Sequence, residues 1–237
     1  MVKQERAARS RRSLVRAAAA HFDRDGYAGT SLSQVSKSAG ISLGGLTFHF
    51  ASKAELAEAV EEEGRAAAGA MLDRVGARSD PPLRMLVELT LELTREIEEN
   101  DAVRAMMRLA RERPGAPQWS AAWLPVAHDL VEQARDKGQL RSAARPDAVA
   151  ALAVHLVSGA EMMSRRAAGP DAAQPPESAV SLLHRIWRLV LTGILTDRED
   201  ISEVVPECVP ECVPELRAPP EARRSRSADP ALPATLP

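Results

Sequence analysis

Aromatic residues are scarce in this chain: three Trp, three Phe and a single Tyr among 237 residues, or 3%. Strands favour aromatic and β-branched side chains, and the abundance of alanine in their place points to helices. Cysteine is nearly absent. The two present, Cys208 and Cys212, lie four apart in a proline-rich stretch, which excludes a disulfide framework and a four-ligand metal site and leads us to expect a reducing, cytoplasmic setting. No apolar run approaches the ~20 residues of a membrane span. Nor does an apolar signal core follow the first basic residues, so neither membrane insertion nor export is expected. The patterns H-E-x-x-H and the phosphate loop do not occur, so nothing indicates an enzyme and no cofactor is expected. The five histidines (His21, His49, His128, His155 and His184) lack ligand spacing, and no metal is expected.

Charge is present and unevenly spread. Residues 1–53 hold nine Lys/Arg against three Asp/Glu, a net of +6, while residues 54–237 hold 22 against 30, a net of −8. A basic head on an acidic body is the electrostatic footprint of a surface that meets phosphates.

Helical periodicity runs through most of the chain. From Gln4 to about Asp25 there is neither proline nor glycine, and Leu14, Ala18 and Phe22 recur every fourth residue, with Gly26 as the stop. Thr30 or Ser31 caps a second short helix ending near Gly40. Ser42 caps a third through Phe48, and Ser52 caps a fourth, Lys53 to Val75, with Glu55 placed as in a capping box. Three short capped helices with a Gly-containing turn between the second and third form a helix-turn-helix. Further helices are expected at 82–99, 102–112, 119–137, 147–165 and 178–196, each bounded by Pro, Gly, Asn or Asp. The last two are apolar on several faces, as helices packed both internally and against a partner would be. From Val205 a Val-Pro-Glu-Cys repeat leads into a Pro, Arg and Ser tail, and 202–237 reads as disordered. The fold expected is all-α: a helix-turn-helix domain at 1–53, a helical domain at 54–201 and the tail.

The stretch from Thr30 to Lys53, ending SLGGLTFHFASK, resembles the DNA-binding signature of the TetR family. MVKQERA at the start, AAA at 17–19, FDRDGY at 22–27, FHF at 48–50, SK at 52–53 and ELAEAV at 55–60 are similar to the gamma-butyrolactone receptor branch of actinomycete autoregulators. AWLPVAHDLVEQARDKGQL, from Ala122 to Leu140, resembles the segment that carries those receptors' ligand-pocket tryptophan, which maps onto Trp123. SGAEMMS at 158–164 resembles their penultimate helix. The chain departs from the branch at Leu43, where a basic residue is common, and at Thr47, where a tyrosine is common.

The resemblance implies a homodimeric repressor, paired through the helices near 147–165 and 178–196, that leaves operator DNA when a small effector binds. The effector is a gamma-butyrolactone or, alternatively, an antibiotic or other metabolite. A binding protein or enzyme that has lost DNA contact is a further alternative, favoured by Leu43 and Thr47. DNA contact is expected from Thr30, Ser31, Ser33, Ser42, Leu43, Gly44, Gly45, Thr47, Phe48, His49 and Lys53, with Leu46 and Phe50 in the core. Trp123 and Trp119, on one helical face, are expected to line an effector site with Met85, Leu89, Met106, Met107 and Val157; Met162 and Met163 also suit an adaptable cavity.

Overall fold

The computed structural model describes residues 2–113, 119–167 and 178–195; the Pro-rich stretch 202–237 lies outside them. Among the described residues the chain is helical, and its one extended contact is an isolated bridge between Leu140 and Leu195.

The N-terminal unit follows from its caps. Helix α1 (Val2–Gly29) breaks at Gly26, where φ is 75°. A Cβ there would lie 2.7 Å from both Arg108 Nη2 and Glu112 Oε1, so glycine alone satisfies the backbone angle and the space. Helix α2 (Leu32–Ser38) starts with a complete capping box: Ser31 Oγ accepts the Gln34 N–H at 3.2 Å, and Gln34 Oε1 accepts the Ser31 N–H at 2.8 Å. Ser42 Oγ accepts from the Gly45 N–H at 3.1 Å to open α3 (Leu43–His49). Ser52 caps α4 (Lys53–Gly76) as its sequence predicts, but Glu55 reaches back to the Ala51 N–H at 2.7 Å rather than to that of Ser52. The stripe Leu14, Ala18 and Phe22 meets Val35, Leu46, Phe50, Leu56 and Val60 in one buried core.

A second core fills the body. Helix α5 (Pro82–Glu99) starts on Pro82, whose missing N–H costs nothing in a first turn. It is apolar around most of its circumference, as a central helix must be. Packed around it are α4, α7 (Leu124–Asp136), α8 (Pro146–Ala167) and α9 (Ala179–Ile194). Its buried hydroxyls are satisfied: Thr94 donates to the Thr90 carbonyl at 2.8 Å, and Thr90 Oγ1 donates to the Val87 carbonyl at 2.8 Å while accepting the Trp187 indole N–H at 2.7 Å. Buried Glu88 is paired with Arg78 and Arg84.

The expected single helix over 119–137 is two pieces, a 3₁₀ turn at Trp119–Ala122 and α7 from Leu124. Pro125 is the cause. It lacks an N–H and disfavours helical backbone in the residue before it, so it is accommodated only in a first turn.

Helix α6 (Asp101–Glu112) joins the two units. Ala102, Ala105 and Leu109 belong to the N-terminal core, while Val103, Met106 and Met107 belong to the body core. It crosses α4 at Gly64, where an added Cβ would lie 2.7 Å from the Ala102 carbonyl oxygen and 2.8 Å from Met106 Cβ. Arg104 Nε bonds Asp23 Oδ2 at 2.7 Å, and Arg108 Nη1 donates to the carbonyls of Asp23 at 2.6 Å and Arg24 at 2.9 Å. Glu112 Oε2 accepts the Tyr27 N–H at 2.6 Å. Burial pushes the Glu112 carboxyl up, but the Arg108 side chain, the Tyr27 N–H and the charge of Arg111 outweigh it and hold its pKa below the ordinary value.

Two outcomes follow from this junction. Gly64→Ala should destabilise the protein by about 1–3 kcal/mol through overpacking, whereas Gly69→Ala, in the same helix with open space around it, should be neutral or gain up to ~1 kcal/mol. Thermal denaturation of the pair checks this, and equal effects would refute the close approach. Because its folded pKa is depressed, Glu112 contributes stability that is present above its unfolded pKa of roughly 4.3 and lost as pH falls through its folded value. Glu112→Gln should therefore lower the Tm at neutral pH and shed less stability on acidification from about pH 5 to 3. Melting curves that stay parallel across that range would remove the clamp.

Candidate DNA interface and effector core

Helix α3 stands on the outside of the basic unit. Leu46 is fully buried on its inner side, Leu43 is 49% exposed and Phe48 is 81% exposed. Gly44 and Thr47 are exposed beside them, and His49 is half-buried with its ring edge-on to Phe48 at 5.2 Å between centroids. Thr47 turns its hydroxyl back to the Gly44 carbonyl at 3.1 Å.

The sequence-predicted hydroxyl donors are placed less uniformly. Ser33 and Ser42 are exposed, as is Ser31, although Ser31 Oγ is engaged with Gln34 Oε1 at 2.7 Å. Thr30 is corrected: its side chain is buried and its hydroxyl donates to the Gly26 carbonyl at 2.8 Å, capping the end of α1 instead of facing outward. Lys53 is half-buried and donates to the carbonyls of Tyr27 at 2.7 Å and Thr30 at 3.0 Å, with its ammonium 4.5 Å from the centre of the Tyr27 ring. Of the three N–H donors of a lysine, one is left for an outside anion.

The unit that carries this face is basic, with a net charge of +6 over residues 1–53. Among the described residues no ion pair involves Arg6, Arg9, Arg12 or Lys37, and Arg11 lies 5.1 Å over the Phe50 ring. His21 holds α2 to α1, with Nε2 at 2.8 Å from Ser38 Oγ and Nδ1 at 3.2 Å from Asp25 Oδ2. The Arg24 guanidinium, then the His21 ring, hold the Asp25 carboxyl down at about 2. It stays anionic and keeps that histidine oriented.

In the body, Trp123, Leu89, Met106, Met107 and Val157 are buried in one cluster, with Trp119 and Met85 half-buried against it. The two tryptophans do not share an α-helical face, since Trp123 is the N-cap of α7, yet their ring centres are 6.3 Å apart. Trp123 is only 1% exposed, and its indole Nε1 is the one buried side-chain N or O without a hydrogen-bond partner among the described residues. Met162 is corrected as a cavity residue: it is 57% exposed on the outer side of α8. Among the described residues no helix is long and apolar enough to cross a membrane, and no three His, Cys, Asp or Glu side chains could together hold a metal ion.

Sequence reasoning did not single out Tyr27, Arg104, Arg108, Glu112 or Arg113, which connect the two units. The four-residue spacing of 104, 108 and 112 marks one face of α6, but their partners lie 81 to 85 residues away.

Residues 14–60 match the family described as bacterial regulatory proteins, tetR family. The A-factor receptor protein of Streptomyces griseus is 29% identical over 171 residues, covering 71% of this chain; the chain spans 60% of the length of that relative. Among solved structures, a gamma-butyrolactone receptor described as an ArpA-like protein is 25% identical with a TM-score of 0.66, covering 84% of this chain and 94% of that one. TylP, a TetR regulator from Streptomyces fradiae, is 30% identical with a TM-score of 0.51, covering 83% of this chain and 90% of its own. With a basic helix-turn-helix at its head, a helical body joined to it through α6, and likeness to such proteins over most of its length, this chain belongs to the TetR family of bacterial regulatory proteins.

Proposed function

We propose that the chain is a dimeric repressor that binds operator DNA through α3 and leaves it when a small amphipathic molecule, of the gamma-butyrolactone kind, enters the body. The observation that carries this reading is the unpartnered indole N–H of Trp123 inside the core of a protein whose basic head turns α3 outward. A buried donor left unsatisfied costs about 1–3 kcal/mol, and a lactone carbonyl would remove that cost. Its acyl chain would lie on Leu89, Met106, Met107 and Val157, each methylene contributing roughly 0.8 kcal/mol. The likeness to a gamma-butyrolactone receptor supports this effector class over an antibiotic. Met162 on α8 and Leu189 on α9, 57% and 73% exposed, with half-buried Leu182 and Ile186, offer an apolar surface for pairing two copies. Residues 1–53 form the DNA-binding part in this reading and 54–201 the effector and pairing part.

DNA affinity should fall steeply with salt, log K declining by about 0.9 for each tenfold rise in salt per phosphate neutralised. Fluorescence anisotropy on the fragment upstream of the protein's own gene measures the slope, and a flat line would refute binding by the basic head. For the effector, Trp123→Phe is the informative change, since alanine would also open a cavity worth about 3–5 kcal/mol. The Phe variant should bind DNA as before and need roughly threefold to tenfold more of an alkyl gamma-butyrolactone for release, the worth of one hydrogen bond. Release at an unchanged concentration would make Trp123 a packing residue only.

A further inference from the structure

We infer that α3 reads its operator through the 5-methyl groups of thymine, packed against Leu43 and Phe48. This inference rests on the operator-binding reading above. Guanine is read in the major groove by Arg or Lys and adenine by Asn or Gln, each through paired hydrogen bonds. The segment Ser42 to His49, SLGGLTFH, contains none of these residues and no carboxylate to accept from cytosine. Of its hydroxyls, that of Thr47 donates locally to Gly44, and that of Ser42 accepts from Gly45 at the cap. Its exposed large side chains are hydrocarbon, Leu43 and the Phe48 ring, next to the bare backbone of Gly44.

An exposed apolar face of this kind normally invites protein contact, but it is set on a head of net charge +6. In the same unit Arg6, Arg9, Arg12 and Lys37 are exposed and Arg11 lies 5.1 Å over the Phe50 ring that ends α3, which favours a polyanion. On a DNA duplex the thymine methyl is the apolar mark in the major groove. Phosphate contacts by the arginines would supply affinity and register, and the methyl contacts would supply the choice of sequence.

The test uses the full-length protein to select binding duplexes from a random pool, which are then resynthesised with deoxyuridine in place of thymidine at one position at a time. This exchange removes a methyl and no hydrogen-bonding group. The wild type should lose about fourfold in affinity at each contacted thymine, the worth of one buried methyl group. Leu43→Ala and Phe48→Ala, both at exposed positions, should fold normally by circular dichroism and bind more weakly. Each should also lose the discrimination between thymidine and deoxyuridine at the position it touches. Equal affinity of the wild type for all thymidine and deoxyuridine duplexes would overturn the inference while leaving operator binding intact. A penalty that both variants retain in full would overturn it too, assigning the effect to DNA shape. Failure to recover any duplex would instead refute the operator-binding reading, and the inference with it.

Discussion

The position of α6 between α1 and α4 is the constraint on which the rest of the structure depends. Its Ala102, Ala105 and Leu109 enter the N-terminal core, its Val103, Met106 and Met107 enter the body core, and Gly64 lets α4 come against it without a side chain between. Neither core is complete without this helix. Close-packed interiors have no slack to absorb a displaced helix, so any shift of α6 must be taken up by α1 or α4, and both bear on the orientation of α3.

Polar contacts surround the same junction and converge on Tyr27. Its N–H goes to Glu112, its carbonyl accepts from Lys53, and its ring lies between the Lys53 ammonium and the Arg113 guanidinium at 4.5 and 5.5 Å. Arg113 in turn is bonded to buried Glu61 at 2.7 Å. The first residue of α4 is thus tied to the last turn of α6 through one aromatic ring at the kink of α1. Lys53 serves this tie first, and its capacity for a phosphate is what remains.

The two functional regions handle polarity in opposite ways. At α3 the Thr47 hydroxyl is turned back to the Gly44 carbonyl and the large exposed side chains are Leu43 and Phe48. In the body the buried Thr90 and Thr94 hydroxyls are paired, and the Trp123 N–H is the one buried side-chain donor without a partner among the described residues. An unpaired donor in a dry core is costly.

The helices, their caps and the helix-turn-helix were legible in the sequence because they depend on neighbours within four residues: Ser31 with Gln34, Ser42 with Gly45, Ser52 with Glu55, Gly26 as a stop. The buried stripe of α1 and the inward Leu46 and Phe50 followed from helical period alone. What the sequence did not disclose were contacts made across long separations. Thr30 carries the same hydroxyl as Ser31, yet only the kink at Gly26 turns it inward to a carbonyl. Lys53 reads as a free cation until the end of α1 is brought to it, and Met162 reads like Met106 until one is left outside the body core. Local hydrogen bonding and periodicity decided the elements; the two-core packing on α6 decided which side chains face outward, inward or one another, because that outcome depends on residues far apart in the chain meeting in three dimensions.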